Sequence, residues 1–244
     1  MNTVRIMTYN IQGCRGCDGQ VNPDRILMVI ADSAPDVIAL QETGSQSHVD
    51  LLPYLAERLG MTLHRSPGES SVAFLSDFQL KGLQLTDFGN GGYCLRADLD
   101  TGGKRMHLLN VSLNPLPRFR YQQVSRLLGS ELLGHSSMVC PVLVLGDFSD
   151  YLWGSGNIEL WASLRRGRRP LWRGTYPAQF PLFGRDRAYT RGALRILDGK
   201  IDYSRLARQA AGHLPLTLTV QVTDSRPSLR LGQLSGGRME AAPG

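Results

Sequence analysis

PVLVLGDFSD, residues 141–150, is the stretch of this chain that most strongly constrains its fold. Its first six residues form a short apolar run without charge, which is typical of a strand buried at the centre of a sheet. Asp147 follows the run directly, and Ser149 and Asp150 come next. The stretch therefore predicts a central strand with polar side chains at one end, where loops on a rigid sheet often build functional sites.

Around this strand, the sequence alternates between strand and helix signals. Residues 4–10 and 37–42 have strand patterns, and Asn22 followed by Pro23 predicts the start of a helix between them. Further helices are expected over residues 49–59 and 120–133, and further strands over residues 71–76, 80–86, 93–98, 104–113, 187–190, 194–198 and 214–222. Hairpins mixed with strand–helix–strand units indicate an α/β protein with mixed sheets.

The composition of the 244-residue chain, with 42% hydrophobic and 20% charged residues, is that of a folded protein and excludes wholesale disorder. No uncharged apolar run approaches the ~20 residues that a membrane span needs. The first residues lack the features of a signal peptide, so we expect a cytoplasmic location. We predict one domain over residues 1–223 and a flexible tail over residues 224–244, where periodicity is lost.

Positive charge is concentrated in one region. The whole chain has a net charge of +6, but residues 165–210 alone contain twelve Lys or Arg residues and only three acidic ones. Five of these arginines lie within residues 165–173. Such a field attracts polyanions, including nucleic acid, and a solvated basic loop explains the charge equally well. The charge pattern leaves both interpretations open.

Five residues able to bind metal or move protons lie at the ends of predicted strands. Asn10 and Glu42 end the first two strands, Asp147 follows the central strand, and Asp186 and His213 precede late strands. One such residue alone is usually a turn or cap residue, but the joint pattern is harder to explain in that way. Oxygen donors dominate the set, which favours a hard cation such as Mg²⁺ over zinc.

Five segments carry a family resemblance: VRIMTYNIQG, PDVIALQET, VLVLGDFSD, GRDRAYT and AGHLPL. In this order, they resemble the endonuclease/exonuclease/phosphatase superfamily from about residue 4 to residue 222. The resemblance implies two stacked mixed β-sheets flanked by helices in a four-layer sandwich. It also implies a Mg²⁺- or Mn²⁺-dependent hydrolase of phosphate esters, acting as a nuclease, phosphodiesterase or phosphatase. The expected partner is a phosphate ester, with nucleic acid among the candidates.

The resemblance also implies roles for the residues at the strand ends. Glu42 would bind the metal, and Asn10 would lie beside it, directly or through water. Asp147 would position and activate the attacking water. His213 would contact the phosphate or act as a base, and Asp186 would accept a hydrogen bond from its imidazole.

Four further residues are expected to bind phosphate or support the site: Ser149, Asp150, Asn110 and Arg120. Arg120 lies just before a predicted helix and could reach a phosphate group, and the alternative is a charge on the helix surface.

The partner of His213 has two candidates. Asp202, followed by Tyr203, also resembles the aspartate-plus-aromatic motif of the family. The residues after Asp186 continue as a plausible strand, whereas those after Asp202 do not alternate, which favours Asp186.

The sequence departs from the family pattern at positions that matter for catalysis. Ser149 replaces an asparagine, Gly212 replaces an aspartate, and Ser112 and Gln12 stand where many relatives have histidine. Two classes of function therefore remain open. One is a metal-dependent phosphoesterase with a reduced rate, and the other is a degenerate relative that binds a phosphorylated ligand or nucleic acid without hydrolysis.

Overall fold

A computed structural model describes residues 3–44, 49–67, 71–150, 159–160, 162–166 and 174–223. The tail expected over residues 224–244 lies outside the described residues, as do the arginine side chains of residues 165–173. The strands are β1 (Thr3–Asn10), β2 (Val37–Gln41), β3 (Thr62–His64), β4 (Val72–Ser76), β5 (Lys81–Gly89), β6 (Gly92–Asp100), β7 (Arg105–Ser112), β8 (Val142–Asp147), β9 (Arg165–Arg166), β10 (Asp186–Arg191), β11 (Leu194–Ile201) and β12 (Leu216–Val222). The helices are α1 (Pro23–Ser33), α2 (Leu52–Leu59), α3 (Pro117–Leu128) and α4 (Arg205–Ala210).

The strands form two sheets. The order in the first sheet is β11-β12-β1-β2-β4-β3, and the order in the second is β5-β6-β7-β8-β10-β9. Each sheet has one parallel pair, β1 with β2 and β7 with β8, and its other pairs are antiparallel. Both sheets are therefore mixed, which confirms the predicted fold class.

The main hydrophobic core lies between the sheets. Leu40 and Phe74 of the first sheet share this core with Leu108, Leu143 and Leu145 of the second. The run that the sequence analysis placed at the centre is β8, and all six of its residues are buried. Helices α1, α2 and α4 contribute to the main core, and a second apolar cluster joins α3 to the outer face of the second sheet. The result is the four-layer sandwich that the resemblance implied.

Local signals place the start of α1 correctly but misplace three boundaries of two other helices. Asn22 accepts hydrogen bonds from the backbone of Asp24 and Arg25, so it caps α1 as predicted. Helix α3 begins earlier than expected, at Pro117, and ends at Leu128 instead of residue 133. Helix α2 begins at Leu52 instead of residue 49.

The chain after Asp202 forms α4, a short helix that alternation alone did not indicate. The Ser204 hydroxyl accepts a hydrogen bond from the Ala207 amide at 3.1 Å and caps its first turn. Among the described residues, no helix is long and apolar enough to cross a membrane.

Candidate active site

Strand register brings the ends of four strands to one edge of the molecule. Asn10 and Gln41 are partners in the parallel pair β1–β2, so Asn10 and Glu42 lie at the same edge of the first sheet. Asp147 at the end of β8 pairs with Asp186 at the start of β10. Because β8 and β10 are antiparallel neighbours, the end of β8 lies beside the start of β10, and these two aspartates from distant segments lie side by side.

Gly146 allows β8 to lie close to its neighbour just before Asp147. Its φ is +146°, and a Cβ added there would lie 1.9 Å from the carbonyl oxygen of Val111 on β7. A larger residue would force the two strands apart, because the obstructing atom belongs to the backbone. The close approach of β7 therefore requires a glycine at the position before Asp147.

Three side chains form a cluster that could hold a metal ion. One ligand atom from each of Glu42, Asp147 and His213 lies within 4.8 Å of those of the other two. Glu42 is exposed, whereas Asp147 and His213 are buried. Two carboxylates and one imidazole suit a divalent cation, because a positive ion relieves the repulsion between the carboxylates.

Asn10 holds the two carboxylates of this cluster together. Its Nδ2 donates to Glu42 Oε1 at 2.8 Å and to Asp147 Oδ2 at 3.0 Å, while its Oδ1 accepts from the Gln12 amide at 3.2 Å. The reversed amide orientation would place oxygen against two carboxylates, so the hydrogen bonds settle which atom faces them. Asn10 therefore lies beside the expected metal position but turns its NH₂ group, not its oxygen, toward it.

His213 and Asp186 form a buried pair. His213 Nδ1 donates to Asp186 Oδ2 at 2.9 Å, and His213 Nε2 lies 3.9 Å from Asp147 Oδ2. Burial by itself lowers the pKa of His213, but the carboxylates of Asp186 and Asp147 outweigh this effect and raise the pKa to about 9. The ring of Tyr176 packs over the imidazole with 4.7 Å between ring centroids.

Asp202, the other candidate for this pairing, has a different task. Its carboxylate accepts from the Ser204 backbone amide at 2.8 Å and from the Ser204 hydroxyl at 3.1 Å. Of the two aspartates left open by the sequence, Asp186 is the one that contacts His213.

Ser149 fixes the orientation of Asp147. Its backbone amide donates to Asp147 Oδ1 at 2.7 Å, and its hydroxyl lies 3.2 Å from the same oxygen. The φ of Ser149 is +47°, a left-handed conformation that turns the chain back toward Asp147. Together with Asn10, Ser149 gives the Asp147 carboxylate hydrogen bonds on both of its oxygens.

Arg120 lies inside the protein, so it is not the helix-surface charge that the sequence allowed. Its guanidinium forms an ion pair with Asp150 at 2.8 Å, and both side chains are almost fully buried. It also donates to the carbonyl oxygens of Pro115 and Ser149 at 2.7 and 3.0 Å. Arg120 and Asp150 therefore anchor the loop after β8 and support the site.

Asn110 joins the two sheets behind the site. Its Nδ2 donates to the carbonyl oxygens of Leu40 and Ala73, both at 2.9 Å, and its Oδ1 accepts from Gln41 Nε2 at 2.7 Å. Asn110 is fully buried. Its contacts support the site by holding β7 against β2 and β4.

Two contacts near His213 were missed by the sequence analysis. Gln12 Oε1 accepts from the Gly212 amide at 3.0 Å, so the loop after β1 is tied to the residue before His213. A Cβ added at Gly212 would lie 2.3 Å from that oxygen, so Gln12 fills the space of the absent side chain. The Thr175 hydroxyl accepts from the Asp186 amide at 3.1 Å. The only sequence signal for the contact between Gln12 and Gly212 was that both positions depart from the family pattern.

Known proteins resemble this chain in sequence pattern and in fold. The model of the Endonuclease/Exonuclease/phosphatase family matches residues 7–211. A search of curated proteins gave no match. Among solved structures, an endonuclease/exonuclease/phosphatase from Beutenbergia cavernae is 20% identical, with a TM-score of 0.69 over 92% of this chain and 73% of that one.

Two further solved structures contain bound molecules. D. rerio TDP2 complexed with a single-strand DNA product is 16% identical, with a TM-score of 0.72 over 91% of this chain and 100% of that one. The human Nocturnin catalytic domain with a bound sulfate anion is 19% identical, with a TM-score of 0.68 over 91% of this chain and 94% of that one. At these identities, the likeness is one of fold.

Proposed function

Because the chain belongs to the endonuclease/exonuclease/phosphatase family, we propose that it hydrolyses a phosphate ester with the help of Mg²⁺ or Mn²⁺. The observation that carries the proposal is the cluster of Glu42, Asp147 and His213 at one edge of the sandwich. These groups combine negative oxygen donors, which can bind a metal ion, with an oriented imidazole, which can transfer a proton, and both functions serve phosphoester hydrolysis.

Glu42 and Asp147 are the residues that would hold the metal ion. Their carboxylates are brought together by Asn10, and Glu42 is open to solvent, so an ion can reach it. A divalent ion bound there would neutralise charge on the phosphate oxygens.

Asp147 is the group proposed to orient the attacking water and to accept its proton. Its carboxylate is held by Asn10 and Ser149, so it needs little reorganisation when the substrate arrives. The water oxygen forms a bond to phosphorus, and the ester P–O bond breaks on the opposite side.

His213 is proposed to contact the phosphate and to give a proton to the leaving oxygen. Asp186 binds its Nδ1, which leaves Nε2 as the nitrogen that faces Asp147. His213 Nε2 and Asp147 Oδ2 are 3.9 Å apart, too far for direct transfer, so one water between them would carry the proton from Asp147 to His213 and restore both groups for the next turnover.

A non-hydrolytic binding protein is the second candidate. Gly212 and Ser149 stand where the family pattern has an aspartate and an asparagine, and the space beside Gly212 is filled by the neutral amide of Gln12. A site with less negative charge would bind a metal ion more weakly and would hydrolyse a phosphate ester more slowly.

Hydrolysis of bis(p-nitrophenyl) phosphate, a soluble phosphodiester, tests the proposal. We expect turnover that requires Mg²⁺ or Mn²⁺ and that is lost in Glu42→Gln, Asp147→Asn and His213→Gln. Glu57→Gln is the matched control, because Glu57 is an exposed glutamate on α2, away from the cluster. Calorimetry of Mn²⁺ binding completes the test: a wild-type protein that binds Mn²⁺ but gives no metal-dependent turnover is the binding protein instead.

A further inference from the structure

The segment of residues 175–178 is bonded to the chain on both sides of His213. The Leu214 amide donates to the Thr175 carbonyl at 2.8 Å, and the Ala178 amide donates to the Gly212 carbonyl at 2.7 Å. These hydrogen bonds fall on the residues directly after and directly before His213. The segment therefore fixes the backbone from which the imidazole extends.

The same segment also holds the partner of His213. The Thr175 hydroxyl accepts from the Asp186 amide at 3.1 Å, and both residues are fully buried. The Thr175 amide donates to the Phe183 carbonyl at 2.7 Å, which keeps the segment beside the chain that enters β10. One short segment thus contacts both members of the pair formed by His213 and Asp186.

The ring of Tyr176 packs on the imidazole of His213. The two ring centroids are 4.7 Å apart, and the ring planes are inclined by 44°. Asp186 binds Nδ1 at 2.9 Å, but Nε2 lies 3.9 Å from Asp147, which is beyond hydrogen-bond distance. Because the last side-chain torsion of histidine has a broad minimum, a single hydrogen bond leaves the ring orientation loosely defined. Contact with a flat aromatic ring restricts that torsion and therefore the direction of Nε2.

Backbone pairing and a cation fix the position of the Tyr176 ring. Tyr176 and Phe183 exchange two backbone hydrogen bonds of 2.9 and 2.8 Å. The Arg185 guanidinium lies 4.0 Å from the ring centroid, a distance at which a cation is attracted to an aromatic face. Tyr176 is only half-buried, so these contacts, and not burial in the core, hold the ring against the imidazole.

We propose that Tyr176 is a positioning residue for His213 and that its aromatic ring keeps Nε2 directed toward the leaving oxygen of the substrate. This inference rests on the proposed function, in which His213 gives a proton to that oxygen as the ester P–O bond breaks. Such a transfer depends on the direction of the donor nitrogen. The Tyr176 hydroxyl makes no hydrogen bond with the residues that the structure describes, so the ring is the part of Tyr176 that acts.

The dependence of the rate on the leaving group tests the positioning role. Phenolate is a poorer leaving group than p-nitrophenolate, so diphenyl phosphate needs the proton more than bis(p-nitrophenyl) phosphate does. With Mn²⁺ present, we expect Tyr176→Leu to lower kcat about 100-fold for diphenyl phosphate and about tenfold or less for the nitrophenyl ester, with little change in KM. Tyr176→Phe should behave as the wild type because it keeps the ring.

Phe180→Leu is the matched control. It also replaces an aromatic residue by leucine in the loop before Asp186, but Phe180 is 77% exposed. Both esters should be hydrolysed by this variant at wild-type rates. Tyr176→Met, which fills a similar volume with a flexible chain, takes the place of Tyr176→Leu if that variant does not fold. An equal loss for the two esters, or an equal loss in Tyr176→Phe, overturns the proposal.

Proton NMR gives a second measurement that needs no turnover. The Nδ1 proton of His213, bound to Asp186, should give a low-field resonance in the wild type and in Tyr176→Phe. In Tyr176→Leu, we expect this resonance to broaden because the less restricted ring exchanges its proton faster with water. If the wild type hydrolyses neither ester, the phosphoesterase proposal fails while a broadened resonance still supports the ordering of His213 by Tyr176. A resonance equally sharp in Tyr176→Leu overturns the positioning role whatever the activity.

Discussion

The ion pair between Arg120 and Asp150 should be one of the most costly polar interactions to break near the site. The side chains are 6% and 3% exposed, and their charged groups lie 2.8 Å apart. Removal of one partner leaves an uncompensated charge inside the protein, which costs about 3–5 kcal/mol. We therefore expect Arg120→Met and Asp150→Asn each to lower the free energy of unfolding by about that amount.

The double variant Arg120→Met/Asp150→Asn should lose less than the sum of the two single losses. The second substitution removes a charge that the first has already left unpaired, so the two sites are coupled. Some loss remains, because the carbonyls of Pro115 and Ser149 lose their donor, at about 1 kcal/mol for each hydrogen bond.

Urea unfolding gives the required free energies, and thermal melting provides a second measurement. For a chain of this size, a loss of 3–5 kcal/mol corresponds to roughly 6–20 °C in Tm. Arg126→Met is the matched control, because Arg126 on the same helix pairs with Glu131 at the surface, where a pair contributes about 0–1 kcal/mol. If Arg120→Met is as stable as Arg126→Met but has a raised KM, the burial argument is refuted and Arg120 binds phosphate.

Three further changes test other parts of the structure. Gly146→Ala should prevent folded protein from accumulating, because the Cβ of the new alanine would overlap a backbone carbonyl of β7. Soluble yield and circular dichroism measure this loss, and a normal yield would contradict the strand geometry. Burial acts to raise the pKa of Asp98, but the hydrogen bond from His107 and nearby cations lower it below its usual value. Asp98 therefore stabilises the fold above the unfolded pKa of about 3.9 and loses this effect as pH falls through its lower folded pKa. We expect the difference in Tm between wild type and Asp98→Asn to be large at pH 7 and to disappear in acid. A difference in Tm that does not depend on pH would refute the ion pair. Gly212→Asp alone should strain the chain, because the new side chain would overlap Gln12. The double variant Gly212→Asp/Gln12→Ala removes this overlap and adds a carboxylate, so calorimetry should show tighter Mn²⁺ binding than in the wild type. An unchanged affinity would place residue 212 outside the metal site.

Local patterns in the sequence determined most of the secondary structure. The apolar run ending at Gly146 identified the central strand, because a strand that is buried on both faces has a continuous apolar sequence, which is visible without knowledge of its neighbours. Asn22 and Pro23 located the start of α1 through cap chemistry that involves only adjacent residues. The order of the motifs also indicated the four-layer sandwich and the set of polar residues at the strand ends.

The partners of those polar residues were decided only by the tertiary structure. Asn10 meets Asp147 across 137 positions of sequence, and Gln12 meets Gly212 across 200. Periodicity indicates which face of a strand is buried, but the register between distant strands depends on the packing of the whole sandwich. For the same reason, the burial of Arg120 was not visible in the sequence: an arginine near the start of a helix looks the same whether its partner is water, phosphate or a buried carboxylate.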